Sequence, residues 1–328
     1  MTEEKRGDKS MGRYIAKRIL IAAASLIAVL FILFLLMDLL PGSPFNDEKL
    51  TAAQLEILNV RYGLDRPFFV RFFIYTGRML RGDMGISYSV AKNMPVHVLL
   101  AERLPVSLKI GGLSVLLGGA AGILLGMAAA VKRNRAADLI AGAVAVIGVS
   151  LPSYVLALAL SYTFGFQLKW FPLLYKTEAA GWSSVLPALA LGMFMMAAAA
   201  RVMRAEMIEV LESDYMIFAE NRGLPGGRLI FVHGMRNALI PVIAVLAPMT
   251  AAVMTGSLAV EKIFSIPGAG SLMVTAIQAN DYNVVAGLAF VYSAVYIAVM
   301  LAADILYELL DPRIRITGEG QTEKGRKR

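Results

Sequence analysis

The chain has 328 residues, 58% of them hydrophobic and 17% charged, a net charge of +8 and no cysteine. A soluble domain carries about 25% charged residues, so an ordinary soluble protein is excluded; without cysteine, so are a disulfide framework and a thiolate metal site. The positive balance does not point to nucleic acid, because Lys and Arg cluster beside long uncharged apolar blocks, where they act as topology signals.

A helix needs about 20 apolar residues to cross the hydrocarbon core. Six stretches qualify, with apolar cores at 19–37, 110–131, 139–168, 179–200, 237–260 and 282–303. The helices carrying them are expected over 14–40, 106–131, 139–166, 181–200, 237–260 and 282–306. A short tail, 1–13, precedes the first; its core exceeds a usual signal h-region and Leu39-Leu40-Pro41-Gly42 is a poor cleavage site, so it reads as retained. The region 41–103 follows. Within it, Leu55, Leu58 and Tyr62 have helical spacing over 51–62, and a second short helix is expected over 67–80 with Pro67 in its first turn. The region reads as a small cap on the membrane surface or as a direct substrate-binding element.

The second span carries Gly118, Gly122 and Gly126 at four-residue spacing, which predicts close helix packing; Ala197 to Ala200 in the fourth reads the same way. Pro152 is expected to kink or end the third span. The segment 201–236 has apolar residues at Met207, Leu211, Tyr215 and Phe218, one face of a single helix over 206–219. That helix should end near Arg222-Gly223-Leu224-Pro225-Gly226-Gly227, and a new one should start near Arg228 and run towards Pro241. On periodicity alone, an elbow and an ordinary surface loop are equally open.

Short loops rich in Lys and Arg stay in the cytoplasm. Such residues crowd the N-terminal tail, Lys132 to Arg135, the segment 201–236 and the tail 311–328. With six spans all four fall on one side, both termini are cytoplasmic, and 41–103 is outside.

The spans hold almost no ionisable side chains; Asp38 and Asp304 lie near span ends. Carriers driven by protons or sodium often use carboxylates or broken helices near the midplane, so energy is expected from outside the membrane. The chain lacks G-x-x-x-x-G-K-[ST], so an ATPase would be a separate subunit. His97 and His233 are the only histidines and are expected on opposite membrane sides, which argues against a clustered metal site. Glu261 and Asp281 read as solvated loop charges or as substrate contacts.

Asp214-Tyr215-Met216-Ile217-Phe218-Ala219-Glu220-Asn221-Arg222-Gly223-Leu224 resembles the D-Y-x-x-x-A-x-x-x-G-L form of the EAA loop of bacterial ABC importer permeases. His233 to Pro241 is similar to H-x-x-R-N-A-L-I-P of the first permease in dipeptide and oligopeptide systems. Met235-Arg236 replaces the broader Leu-Pro, and Phe218 stands where the leading Glu would precede Ala. Further matches follow in order: Tyr62-Gly63-Leu64-Asp65-Arg66-Pro67, Arg81-Gly82-Asp83-Met84-Gly85 with Ser87 and Tyr88, Glu102-Arg103-Leu104-Pro105 and Ser150-Leu151-Pro152-Ser153. Val260-Glu261 through Phe264, then Pro267-Gly268-Ala269-Gly270, resembles V-E-x-x-F-x-x-P-G-x-G, and Leu310-Asp311-Pro312-Arg313 the usual ending.

The resemblance covers nearly the whole chain. It implies an all-α membrane protein of the type I ABC importer permease fold, with six transmembrane helices and the permease core at 94–310. It also implies a second homologous permease, two ABC ATPase subunits using ATP and Mg, and an extracytoplasmic solute-binding protein; no cofactor is expected on this chain. Asp214, Tyr215, Ala219, Gly223 and Leu224 would couple to an ATPase. Glu261, Phe264, Pro267, Gly268 and Gly270 would line an extracytoplasmic gate or path. The substrate implied is a di- or oligopeptide; nickel or metal chelates, glutathione, and a secondary carrier or channel are the alternatives.

Overall fold

A computed structural model describes residues 4–39, 56 and 65–310 of the protein, and nearly all their regular structure is helical. The helix expected over 51–62 lies outside these residues except at Glu56, as do Leu40, Pro41 and Gly42 of the segment weighed as a cleavage site, the motif residues 62–64 and 311–313 and the tail 311–328.

Helix α1, Glu4–Leu39, starts well before the expected 14. Helix α2, Phe68–Met79, begins after Pro67, which stands at the N-cap with ψ 143° and not inside the first turn as expected; its carbonyl accepts the Arg71 N–H at 3.1 Å, the first bond of the helix. Helix α3, Val96–Val131, starts earlier than the expected 106 and runs through Pro105; Val115–Gly119 within it forms a π turn. Helices α4, Ala136–Ser150, and α5, Ser153–Gln167, meet at a bend of 107°. The bend falls at Leu151–Pro152, where proline disfavours a helical conformation for the residue before it.

Helix α6, Val185–Leu211, continues the fourth apolar stretch well past its expected end at 200. Helix α7, Asp214–Asn221, is short, and α8, Gly226–Met254, is entered through a π turn at Leu229–Gly234. The fifth apolar stretch was expected to stay helical to 260, but α8 stops at Met254, where Gly256 takes φ 95°. Helices α9, Leu258–Ile263, α10, Ala269–Gln278, and α11, Tyr282–Leu310, complete the described chain. Among the described residues five helices are long and apolar enough to cross a membrane, or six if α4 and α5 together make one crossing.

The chain divides into two units, Met1–Ser107 with Pro267–Ile297 and Leu108–Ile266 with Ala298–Arg328. In the first, Leu30 of α1, Phe72 and Met79 of α2, Val96 and Leu100 of α3, Leu272 of α10 and Leu288 of α11 share one core. In the second, α6 is central: 61% of its apolar window is buried, against 6% for α1. It packs against α4, α5, α8 and the latter part of α3. The glycine stripe explains the closest approach: a Cβ on Gly118 would meet the Gly192 carbonyl oxygen at 2.2 Å, and Gly122 and Gly126 face Met196 and Ala200 in the same way. Small residues let the two backbones touch, the expected packing device between membrane helices.

Candidate functional site

The structure brings the five candidate coupling residues together on α7 and the turn that ends it. The single amphipathic helix expected over 206–219 does not form. Helix α6 ends at Leu211, Ser213 is extended with ψ 148°, and α7 restarts at Asp214. The Ser213 hydroxyl donates to the Val210 carbonyl at 2.5 Å rather than capping α7. Met207 is consequently buried, whereas Tyr215 and Phe218 are exposed.

The A-x-x-x-G-L spacing has a geometric cause. The Gly223 N–H donates to the Glu220 carbonyl at 2.8 Å and the Leu224 N–H to the Ala219 carbonyl at 3.5 Å. This is the paired bond pattern of a Schellman cap, with Gly223 as the left-handed residue at φ 77°. A hydrophobic contact between the third-from-last helical residue and the one after glycine commonly accompanies this cap. Those two positions are Ala219 and Leu224. A Cβ at Gly223 would have open space around it, so glycine is required by conformation and not by crowding.

Helix α7 is held from one side. Met216 is its one buried residue, and the Tyr215 hydroxyl accepts a 2.7 Å bond from the Asn237 amide on α8. The opposite surface presents Ile217 and Phe218, with the Arg222 guanidinium 4.5 Å over the Phe218 ring. The Asn237 contact gives a physical reason for the Asn in the H-x-x-R-N-A-L-I-P segment.

Two ion pairs absent from the sequence reading brace the root of this element. Arg204 of α6 grips Asp138 of α4 through two bonds, 2.5 Å and 2.8 Å. Arg133 reaches Glu212 at 2.6 Å. The Arg236 guanidinium donates to the Leu310 carbonyl at 3.1 Å. Partners so distant in sequence leave no local signal.

The candidate gate residues divide between the units. Glu261 and Phe264 belong to the second, and both are buried. Phe264 follows α9, and its carbonyl accepts the Tyr175 N–H at 2.8 Å. Pro267, Gly268 and Gly270 belong to the first. There Gly268 precedes α10, whose first N–H, on Ala269, donates to the Ser107 hydroxyl at 2.8 Å.

Solvated loop charges were one expectation for Glu261 and Asp281, and burial overturns it: they are 4% and 0% exposed. Asp281 is a clamp. One carboxylate oxygen accepts the Ser87 hydroxyl at 2.5 Å and the Ser89 and Val90 N–H groups at 3.0 Å. Beside it, Asn283 donates to the Ile86 carbonyl at 2.8 Å, and the Tyr75 hydroxyl donates to the Asn283 carbonyl at 3.3 Å. The R-G-D-x-G-x-S-Y segment is thus fastened to the start of α11. Among the described residues no group of three or more His, Asp or Glu could hold a metal ion.

Residues 122–316 match the family described as binding-protein-dependent transport system inner membrane component. The chain is 39% identical to the dipeptide transport system permease protein DppB of Lactococcus lactis subsp. cremoris, over 93% of this chain and 100% of that one. It is 38% identical to DppB of Bacillus subtilis, over 94% of this chain and 100% of that protein. It is also 35% identical to the oligopeptide transport system permease protein OppB of Salmonella typhimurium, over 93% and 100%. With its apolar helices, α6-centred packing and capped short helix α7, the chain belongs to the family of inner membrane components of binding-protein-dependent transport systems, and is the permease component rather than the ATPase.

Proposed function

We propose that this chain is one of two homologous permease subunits of an ATP-driven importer for di- or oligopeptides, forming half of the translocation path. The peptide substrate is supported by the names of its relatives, two dipeptide permeases and an oligopeptide permease at 35–39% identity. The H-x-x-R-N-A-L-I-P segment over His233 to Pro241 supports it too. A separate extracytoplasmic binding protein would deliver the substrate, and two ATPases using ATP and Mg would drive the cycle. Glu261, Phe264, Pro267, Gly268 and Gly270 are proposed to line an extracytoplasmic gate or path, within a permease core at 94–310.

The observation that carries the coupling role is the outward face of α7, where Ile217 and Phe218 stand exposed on a helix fixed behind by Met216 and Tyr215. An ATPase groove would take up this face. Movement of α7 would then pass to α6, which precedes it in the chain, and to α8, through Asn237. Helices in such contact move as rigid bodies.

The test is a pair of substitutions. Gly223→Val puts a β-branched side chain at φ 77° and should break the Schellman cap. Gly223→Asn tolerates that backbone and should retain it. The Val variant should insert normally but lose ATPase co-purification and peptide uptake together, while the Asn variant keeps most of both. Full uptake and ATPase recovery with Gly223→Val would reduce α7 to an ordinary surface loop.

A further inference from the structure

Helix α2 has three sides. Phe68, Phe72 and Tyr75 face α1: the Phe68 and Phe72 rings lie 5.6 Å and 5.3 Å from the Phe31 ring, and Tyr75 lies 5.8 Å from Phe34. A second side, Phe69, Phe73 and Leu80, is 62%, 70% and 64% exposed. The third carries Arg78, with Arg66 and Arg81 at the two ends, while Arg71 lies over the Phe34 ring of α1 at 5.9 Å; α2 itself contains no acidic residue.

Depth is set by the docking. Phe31 and Phe34 lie inside the apolar window Ile19–Leu36 of α1, one of the helices long enough to cross the membrane. At 1.5 Å rise per residue, Phe31 is about 7.5 Å inside the Leu36 end of that window. A helix stacked on Phe31 therefore lies beside hydrocarbon and not above it. Its exposed aromatic side reaches α1 through Phe69, whose ring stacks on Phe31 at 6.4 Å, and the apolar window of α1 is itself almost entirely unburied.

We propose that α2 is embedded in the leaflet nearest Leu36, with Phe69 and Phe73 among the acyl chains and Arg66, Arg78 and Arg81 at the phosphates of anionic lipids. An aromatic face beside an arginine face is the composition of an interfacial amphipathic helix. Arginine reaches headgroups by extending its aliphatic stem along the apolar surface. The occupant is the bilayer: a water-facing helix would not stack against a residue inside the apolar window, and the arginine side fits anionic headgroups.

Because the chain has no cysteine, single sites can be labelled without background. Nitroxides at Phe73→Cys, Arg78→Cys and Lys92→Cys would be attached to the chain and read after its assembly with the partner permease and ATPases in phosphatidylcholine–phosphatidylglycerol vesicles. The Phe73 label should collide freely with oxygen and be at least about fivefold less accessible to a nickel chelate than the Lys92 label. The Arg78 label should fall between them. Chelate access at position 73 equal to that at 92 would place α2 in water and overturn the proposal. Low access to both reagents would mean that protein covers the face, and would overturn it equally. For the headgroups, a fluorophore at Phe73→Cys should be quenched about twofold more by spin-labelled phosphatidylglycerol than by the phosphatidylcholine analogue. Arg66→Gln/Arg78→Gln/Arg81→Gln should abolish the difference, and equal quenching in the unsubstituted arginine background would overturn the anionic-lipid assignment.

Discussion

Asp281 shows how much one side chain can hold. Its carboxylate serves three donors from the Ser87–Val90 loop while fully buried, at the residue that precedes α11. Removing a buried acceptor leaves each donor without a partner, at about 1–3 kcal/mol apiece. Asp281→Ala should therefore lower stability by at least about 3 kcal/mol. Asp281→Asn should cost less, because its amide oxygen can still accept. Unfolding of the purified chain in detergent micelles, followed by tryptophan fluorescence, measures both. An alanine variant as stable as the parent would show that the loop is held by other contacts. The clamp was not legible in the sequence, since nearly two hundred positions separate Ser87 from Asp281. What was legible was the R-G-D-x-G-x-S-Y segment, without the reason for it. The A-x-x-x-G-L segment was recognised the same way, and hydrogen bonds now account for Ala219, Gly223 and Leu224 as parts of one helix cap.

Among elements, the α3–α6 contact was the most legible, because small residues at four-residue spacing have few other uses in a membrane helix. It also makes a sharp contrast within one helix. A Cβ at Gly118 collides with backbone of α6, whereas one at Gly112 meets nothing within 4 Å. Gly118→Ala should separate the helices and cost on the order of 1–3 kcal/mol. Gly112→Ala should be neutral or stabilising, since glycine in a helix interior is less favourable than alanine by roughly 0.5–1 kcal/mol. Folded yield in detergent, read by size-exclusion chromatography, separates the two, and equal yields would remove the packing role from the stripe. Element ends were less legible. Apolar spacing runs on through Met207, Leu211, Tyr215 and Phe218, yet Ser213 turns the backbone between them. The exposure of Tyr215 and Phe218 explains the continuity: their apolar character answers to the surface of α7 and not to the interior that holds Met207. At Gly256 the reverse occurs, where an apolar run conceals a break.

For the whole molecule, the bend between α4 and α5 decides the topology. If the pair dips in and returns, the strongly basic 201–236 segment is carried across the membrane, against the tendency of Lys and Arg to remain inside. If it crosses once, the basic segments share a side. Contacts within the second unit support the single crossing. Arg133 and Asp138, at the start of α4, bond directly to Glu212 and Arg204 near the end of α6. Arg236, in α8, reaches the Leu310 carbonyl at the end of α11. Groups within hydrogen-bond distance lie at one depth, so these ends belong together, and we propose that their side is the cytoplasm. Cysteines at Lys132 and Gly226 should be shielded from a membrane-impermeant maleimide in intact cells and react only after permeabilisation. A cysteine at Lys92, in the exposed loop before α3, should react in intact cells. Labelling at Gly226 but not at Lys132 without permeabilisation would mean that α4 and α5 return to the side they left. The Arg133–Glu212 contact could not then hold across the bilayer, and the six-crossing arrangement would fall with it.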